Sequence, residues 1–230
     1  MLLLHALPLD RRMWQNQFQI MPQKSVAPNL YAFGSNIEQW AVKSLDLVSQ
    51  DRFVVVGCSV GGSCALEVLN LAPERVAAAI LIGTKARCDP DPTSHSEACV
   101  TIEDQGVAAA WQRYWSPLFE SDEGGKIAQH AKEIALEQSA KELENGLTAF
   151  YTRDSREDVV IASRIPIHVV TGDRDTLPGP NYSRRLAGLS NKASLHVIEN
   201  CGHYVPMMQP KALNRLIADV LRDVETDPLG

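Results

Sequence analysis

The segment Gly57-Cys58-Ser59-Val60-Gly61 sets a serine midway between two glycines, directly after the apolar run Phe53-Val54-Val55-Val56. Apolar residues then fall at positions 64, 65, 68, 69 and 72, a helical spacing. In the order strand, G-x-S-x-G, helix, a sharp strained turn lifts a serine hydroxyl above a sheet, and small residues two before and two after it let strand and helix approach closely. The N–H of Val60 would face the same point, where a helix N-terminus favours developing negative charge. A serine hydroxyl attacks at neutral pH only with a base beside it and a third group to orient that base. Later apolar runs end in both. Ile167 to Gly172 leads into Gly172-Asp173-Arg174-Asp175, and Leu195 to Ile198 leads into Asn200-Cys201-Gly202-His203. In chain order Ser59, Asp175 and His203 are therefore candidates for nucleophile, orienting acid and base. Asp173 competes with Asp175, and Asp89 or Asp91 would serve if the acid followed the preceding strand.

Other readings of these residues are weaker. The glycine-rich turn could cradle a phosphate, yet no lysine follows the glycines as in a Walker loop and no G-x-G-x-x-G is present. Cys201-Gly202-His203 could be taken for a metal pair, but no further ligands gather near it in sequence, so no metal is expected. His168 and His196 sit inside apolar runs and read as structural.

The elements that must position these residues follow from the patterning. Short apolar or β-branched runs alternate with segments of helical period, as in a parallel sheet flanked by helices. Six parallel strands are expected: Leu2 to His5, Ser25 to Pro28, Phe53 to Gly57, Val76 to Gly83, Ile167 to Gly172 and Ser194 to Ile198. Acid and histidine then lie on loops at strand C-terminal ends, the edge where open parallel sheets place their sites. Ser35-Asn36-Ile37-Glu38 has the form of a capping box ahead of a helix carrying Ile37, Trp40, Ala41, Leu45 and Val48. Leu213, Leu216, Ile217, Val220, Leu221 and Val224 mark one stripe of a C-terminal helix. Residues 85–164 break this rhythm. They offer three amphipathic stretches, around Val107 to Trp115, Ile127 to Leu136 and Leu143 to Tyr151, after a loop-rich tract from Cys88 to Ser96. The expected organisation is a core of residues 1–84 and 165–230 with a helical cap of residues 85–164. Trp111, Tyr114, Trp115, Leu118 and Phe119 form an aromatic stripe that either fills the interior of this insertion or roofs an apolar pocket, with Trp111 and Trp115 as substrate contacts. Met13 and Trp14 either line the site or pack on the sheet.

Composition limits the partners. The chain has 230 residues, 45% of them apolar, and 22 Lys and Arg against 28 Asp and Glu give a net charge of −6. With no run of five like charges, a nucleic-acid partner is not expected. The longest apolar run, Val76 to Ile82, is far short of the roughly 18 residues a membrane span needs, and no basic region precedes the short apolar N-terminus. A cytoplasmic, unanchored protein is expected. Cys58, Cys64, Cys88, Cys99 and Cys201 are an odd set with no C-x-x-C pair, which predicts free thiols.

Separated motifs in the right order resemble the α/β-hydrolase superfamily. Leu3-Leu4-His5-Ala6-Leu7-Pro8-Leu9-Asp10 resembles the family's opening H-G-x-P segment, and Val26-Ala27-Pro28-Asn29-Leu30 with Gly34 resembles the following strand and turn. The turn at 57–61, the G-x-x-D segment at 172–175 and the G-H pair at 202–203 complete the pattern. The resemblance implies Ser59 as nucleophile, His203 as general base and then acid, and Asp175 as orienting acid. It further implies oxyanion-hole N–H groups from Leu7 and Val60, His5 holding the loop, and residues 85–164 as the lid. The implied activity is cleavage of small carboxylic esters without a cofactor; thioesters, lactones and carbon-carbon bonds are cleaved on the same triad, and a non-catalytic binding module could keep the same fold. The chain departs from the family in three ways. It begins at what resembles the family's third strand, which leaves Ser25 to Pro28 as an edge that a second copy in a homodimer could cover. Ala6 replaces a glycine, and Cys58 is an unusual neighbour for the nucleophile.

Overall fold

The computed structural model describes residues 1–120, 122 and 125–226. Five strands, β1 (Leu2–Leu4), β2 (Phe53–Cys58), β3 (Val76–Ile82), β4 (Ile167–Gly172) and β5 (Ala193–Ile198), form one sheet in the order of the chain. Every pair is parallel, with Leu4 opposite Gly57, Cys58 opposite Ile82, Ile82 opposite Val170 and Gly172 opposite Ile198. The strand C-termini therefore share one edge, and the loops that follow β1, β2, β4 and β5 converge there. β2 and β3 are buried at every residue, as expected of central strands covered on both faces.

The sixth strand expected at Ser25 to Pro28 is reduced to a single bridge between Leu2 and Val26. Val26 N–H donates to Met1 C=O at 2.9 Å and Val26 C=O accepts from Leu3 N–H at 2.8 Å. The next donor facing β1 would come from Pro28, which has no N–H, so the ladder stops after one residue.

The helices are α1 (Gln15–Phe18), α2 (Ile37–Asp46), α3 (Val60–Leu71), α4 (Pro92–Ala110), α5 (Lys126–Leu136), α6 (Ala140–Thr152), α7 (Glu157–Ala162), α8 (Gly179–Ala187), α9 (Val205–Met208) and α10 (Pro210–Thr226). Strands that follow one another across the sheet need right-handed crossovers, which put α2, α3 and α8 on one face. On α10, Leu213, Ile217 and Val220 are buried, in keeping with the sequence stripe. The cap of α2 is Asn36 rather than Ser35: the Asn36 side chain accepts the Gln39 N–H at 3.1 Å.

Between β3 and β4 the regular elements among the described residues are all helical, with no strand. The tract from Cys88 to Ser96 is only partly a loop, because Asp91 caps α4 and Pro92 sits in its first turn, where a missing N–H costs nothing. Gly106, at φ 82°, breaks α4 ahead of the stretch expected from Val107, which continues through a π-helical turn at Trp111–Trp115. Two ties hold this segment to the sheet domain. Arg156 Nε lies 2.6 Å from the buried Glu67 carboxylate of α3, and Arg156 N–H donates to Ala86 C=O. Gln138, between α5 and α6, donates to Asp10 at 2.9 Å, and Arg12 binds both Asp10 and Glu137. No helix among the described residues is long and apolar enough to cross a membrane.

His5 closes β1. Its Nε2 accepts the Leu30 N–H at 2.9 Å and its Nδ1 lies 3.3 Å from Ala6 C=O, the pattern of a neutral ring protonated at Nδ1. Complete burial lowers its pKa to about 4. An unfolded chain takes up this proton near pH 6.5 and the folded one only near 4, so stability is lost as pH falls through that window. For His5 alone the loss is about 2 kcal/mol by pH 5 and about 3 kcal/mol by pH 4. Half-buried His168, also lowered to about 4 by burial, and then by the neighbouring His196, acts in the same direction. Urea unfolding at pH 7, 6 and 5 should show this decline; a free energy that stays flat from pH 7 to 5 would contradict a neutral buried His5.

Candidate active site

Ser59 occupies the turn between β2 and α3 with φ 54° and ψ −118°, a backbone that side-chain-bearing residues rarely adopt. Three bonds hold it there: Ser59 N–H donates to Ile82 C=O at 2.8 Å, and Ser59 C=O accepts from the N–H groups of Gly62 and Ser63 at 2.9 and 3.3 Å. The flanking glycines serve close approach, as the spacing predicts. A Cβ on Gly57 would run into Gly61 C=O, and one on Gly61 would run into Leu4 C=O. Val60 is the first residue of α3, so its N–H has no acceptor within the helix.

His203 and Asp175 meet across the ends of β4 and β5. His203 Nδ1 lies 3.1 Å from both carboxylate oxygens of Asp175, and the two side chains are 2% and 0% exposed. Asp175 also accepts Leu177 N–H at 2.8 Å, which fixes the carboxylate in its loop. Asp173 points elsewhere: it accepts the Cys201 N–H at 3.0 Å, a bond that holds its pKa below the usual carboxylate range and braces the loop bearing the histidine. Asp89 pairs with Arg87 and Asp91 caps α4, both at the surface.

Ser59 and His203 line one cavity of about 150 Å³, together with Leu7, Trp115, Leu147 and Phe150. Its walls are otherwise apolar or aromatic, and much of its roof comes from the helical segment. Trp115 borders it. Trp111 does not; it packs on Phe119 with ring centroids 5.5 Å apart, and Phe119 stacks on Tyr204 at 4.4 Å. Met13 and Trp14 are buried outside the cavity, Met13 Sδ accepting the Ala6 N–H at 3.2 Å. His203 also borders a wider hollow of about 490 Å³ with Leu118, Arg174 and Thr176. Burial, then the nearby Asp175 and Cys201, push the Cys58 thiol well above its ordinary range, so beside the serine it acts as a small apolar filler. His168 and His196 lie on β4 and β5 outside this cavity, their rings joined at 3.1 Å and both touching Ser194 Oγ.

Sequence reasoning missed Gly83 and Tyr204. Gly83, at φ 54°, lies directly against the His203–Asp175 pair: a Cβ there would sit 2.8 Å from His203 Cε1 and 3.2 Å from Asp175 Oδ2. Only its position at the end of a strand hinted at this. The Tyr204 hydroxyl donates to Leu7 C=O at 2.7 Å, and its ring meets His203 edge-on at 5.1 Å.

Residues 1–216 match the model described as the alpha/beta hydrolase family. The chain is 28% identical over 210 residues to a pimeloyl-[acyl-carrier protein] methyl ester esterase of Aromatoleum aromaticum, covering 83% of this chain and 82% of that one. It is 24% identical over 206 residues to 2-hydroxy-6-oxononadienedioate/2-hydroxy-6-oxononatrienedioate hydrolase 2 of Pseudomonas putida, covering 82% and 69%. Among solved structures, a thermophilic esterase from Thermogutta terrifontis superposes with a TM-score of 0.87 at 24% identity, over 97% of this chain and 89% of that one.

Gly83→Ala tests the packing at the site without any assay of activity. The new methyl group meets both a left-handed backbone and the His203 ring, so urea unfolding should show a loss of more than about 1 kcal/mol. A neutral substitution would mean that the pair is not seated on this glycine.

Proposed function

The chain belongs to the alpha/beta hydrolase family, and from that premise we propose that it is a serine hydrolase cleaving small carboxylic esters through an acyl-enzyme. The observation that carries the reading is the buried His203–Asp175 pair opening on the same small apolar cavity as Ser59, itself on a strained turn. Backbone strain of this kind persists where the surroundings over-determine it, often at functional sites.

In the proposed reaction Ser59 Oγ attacks the ester carbonyl carbon as His203 Nε2 takes the hydroxyl proton. Asp175, bonded to Nδ1, keeps the ring in the tautomer that leaves Nε2 free and stabilises the imidazolium that forms. The carbonyl oxygen becomes an oxyanion held by the N–H groups of Leu7 and Val60, and the positive end of α3 favours the same charge. Collapse breaks the bond to the alkoxy group, which leaves with the proton from His203. Water then attacks the acyl-enzyme by the same steps, giving a carboxylic acid and free Ser59. The wider hollow beside His203 suits the departing alcohol, because His203 must reach the leaving oxygen. Residues 85–164 act as the cap, and Trp115 contacts the acyl group.

The size of the inner cavity supports a short acyl chain. About 150 Å³ lies well below the 300–1,000 Å³ of sites for drug-sized ligands. Among the described residues no lysine or arginine lines it to pair a charged acyl group, which would have to be desolvated there. The relatives are named as a methyl ester esterase and as a 2-hydroxy-6-oxononadienedioate/2-hydroxy-6-oxononatrienedioate hydrolase, and the short-acyl ester reading is the one this cavity favours.

The deciding experiment compares wild type with Ser59→Ala on p-nitrophenyl acetate, butyrate and octanoate, alongside labelling by a fluorophosphonate. Acetate and butyrate should turn over faster than octanoate, and kcat/KM should fall at least about 10²-fold in the variant, with labelling lost. Wild type that neither turns over nor labels would leave the non-catalytic binding module as the better reading.

A further inference from the structure

A backbone N–H can stabilise an oxyanion only if its peptide plane is held in the right orientation before the charge appears. For Leu7 that plane is the Ala6–Leu7 peptide. In a trans peptide the N–H points opposite to the C=O, so whatever grips Ala6 C=O aims Leu7 N–H. Ala6 C=O lies within reach of three donors: Leu9 N–H at 2.9 Å, the Tyr31 hydroxyl at 3.2 Å and His5 Nδ1 at 3.3 Å. Leu9 belongs to the same loop and His5 is the adjacent residue. Tyr31 is the one long-range anchor, 25 positions away on the 3₁₀ turn Leu30–Phe33.

We infer that Tyr31, which does not border the cavity, is a positioning residue for the oxyanion hole, its phenol holding Ala6 C=O so that Leu7 N–H faces the reacting carbonyl. This rests on the serine hydrolase reading above. The phenol is suited to the task. Complete burial drives its pKa well above the ordinary value, so it remains a donor at any working pH. Its ring is wedged edge-on against His5, with centroids 4.7 Å apart, and lies beside Trp40. His5 in turn binds the Leu30 N–H, which fixes the turn that carries Tyr31. From the other side α6 presses on the same pair: a Cβ on Gly146 would come within 2.7 Å of the Tyr31 ring and 2.6 Å of the Leu7 side chain. A second buried phenol, Tyr204, grips Leu7 C=O at 2.7 Å. The carbonyls on both sides of the Leu7 N–H are thus held by tyrosines from distant parts of the chain. Such a clamp explains how Ala6 can stand where the family has glycine, since conformation here is set by bonds to the carbonyl and not by a permissive residue.

The test is Tyr31→Phe, which removes one oxygen and leaves the ring packing in place. On p-nitrophenyl acetate, well below the melting temperature of each variant, kcat should fall about 10- to 100-fold with KM within twofold, part of the loss expected for deleting an oxyanion donor. Affinity for a trifluoromethyl ketone, whose adduct carries the oxyanion, should fall in parallel, while binding of the acetate product should not change. A merely structural role would lower the melting temperature but leave kcat and ketone affinity at wild-type values, and would overturn the proposal. Failure of the underlying reading would look different, since wild type itself would then neither hydrolyse the ester nor bind the ketone.

Discussion

The close approach of β2 and α3 around Ser59 is the constraint from which the rest of the architecture follows. The turn is tight enough that a Cβ on Gly57 or Gly61 would strike backbone, and it holds a serine in a conformation that costs on the order of 1–3 kcal/mol. That cost is met by neighbours on either side, since Ile82 C=O takes the Ser59 N–H and the first turn of α3 takes its C=O. The turn therefore depends on β3 lying in register beside β2, and on β1 being close enough for Leu4 C=O to pack against Gly61. A sheet of central, fully buried strands provides that rigidity, and the serine is raised at its edge as a result.

Around this point the loops are braced by hydrogen bonds rather than by length or flexibility. The histidine loop is held by Asp173 through Cys201 N–H, and the acid loop by Leu177 N–H on Asp175. Gly83 leaves just enough room for the imidazole and carboxylate to meet. Between Leu4 and Trp14 the anchors of His5 to Leu30, Tyr31 to Ala6 and Tyr204 to Leu7 are polar and buried, and those of Asp10 to Arg12 and Gln138 are partly buried. Buried networks of this kind define one geometry when satisfied, because each partner lost leaves an unpaired group in a low dielectric.

The helical segment between β3 and β4 is attached at two places by charge. Glu67, almost wholly buried on α3, needs Arg156 as its counter-ion, and breaking such a pair is more costly than its net contribution to stability suggests. At the other end the Asp10, Arg12, Gln138 and Glu137 network ties α5 and α6 to the loop after β1. The same segment that roofs the cavity therefore also touches the loop carrying Leu7, both through this network and through Gly146 against Leu7 and Tyr31. Cavity shape and loop position are coupled as a consequence.

Local pattern alone carried the parallel sheet, the Ser59 turn, the Asp175 and His203 loops and the C-terminal helix, because each is written in residues close together along the chain. Burial on both faces makes Phe53 to Cys58 and Val76 to Ile82 continuous apolar runs, and a tight turn demands Gly57 and Gly61. Where a single atom decided, local pattern fell short. Pro28 ends the pairing of Val26 after one bridge because it lacks a donor, and Asp91 with Pro92 starts a helix inside an apparent loop. The choice between Asp175 and Asp173 was a matter of two residues in sequence, and only the folded loop shows one carboxylate on His203 and the other on Cys201 N–H. Trp111 and Trp115 share a stripe by spacing, yet a π-helical turn sends one into packing and the other to the cavity. Tyr31 and Tyr204 had no local signal, and Gly83 had only its place at a strand end. Their partners lie 25 to 197 positions away or across a strand end, so their roles exist only once the sheet has brought those segments together.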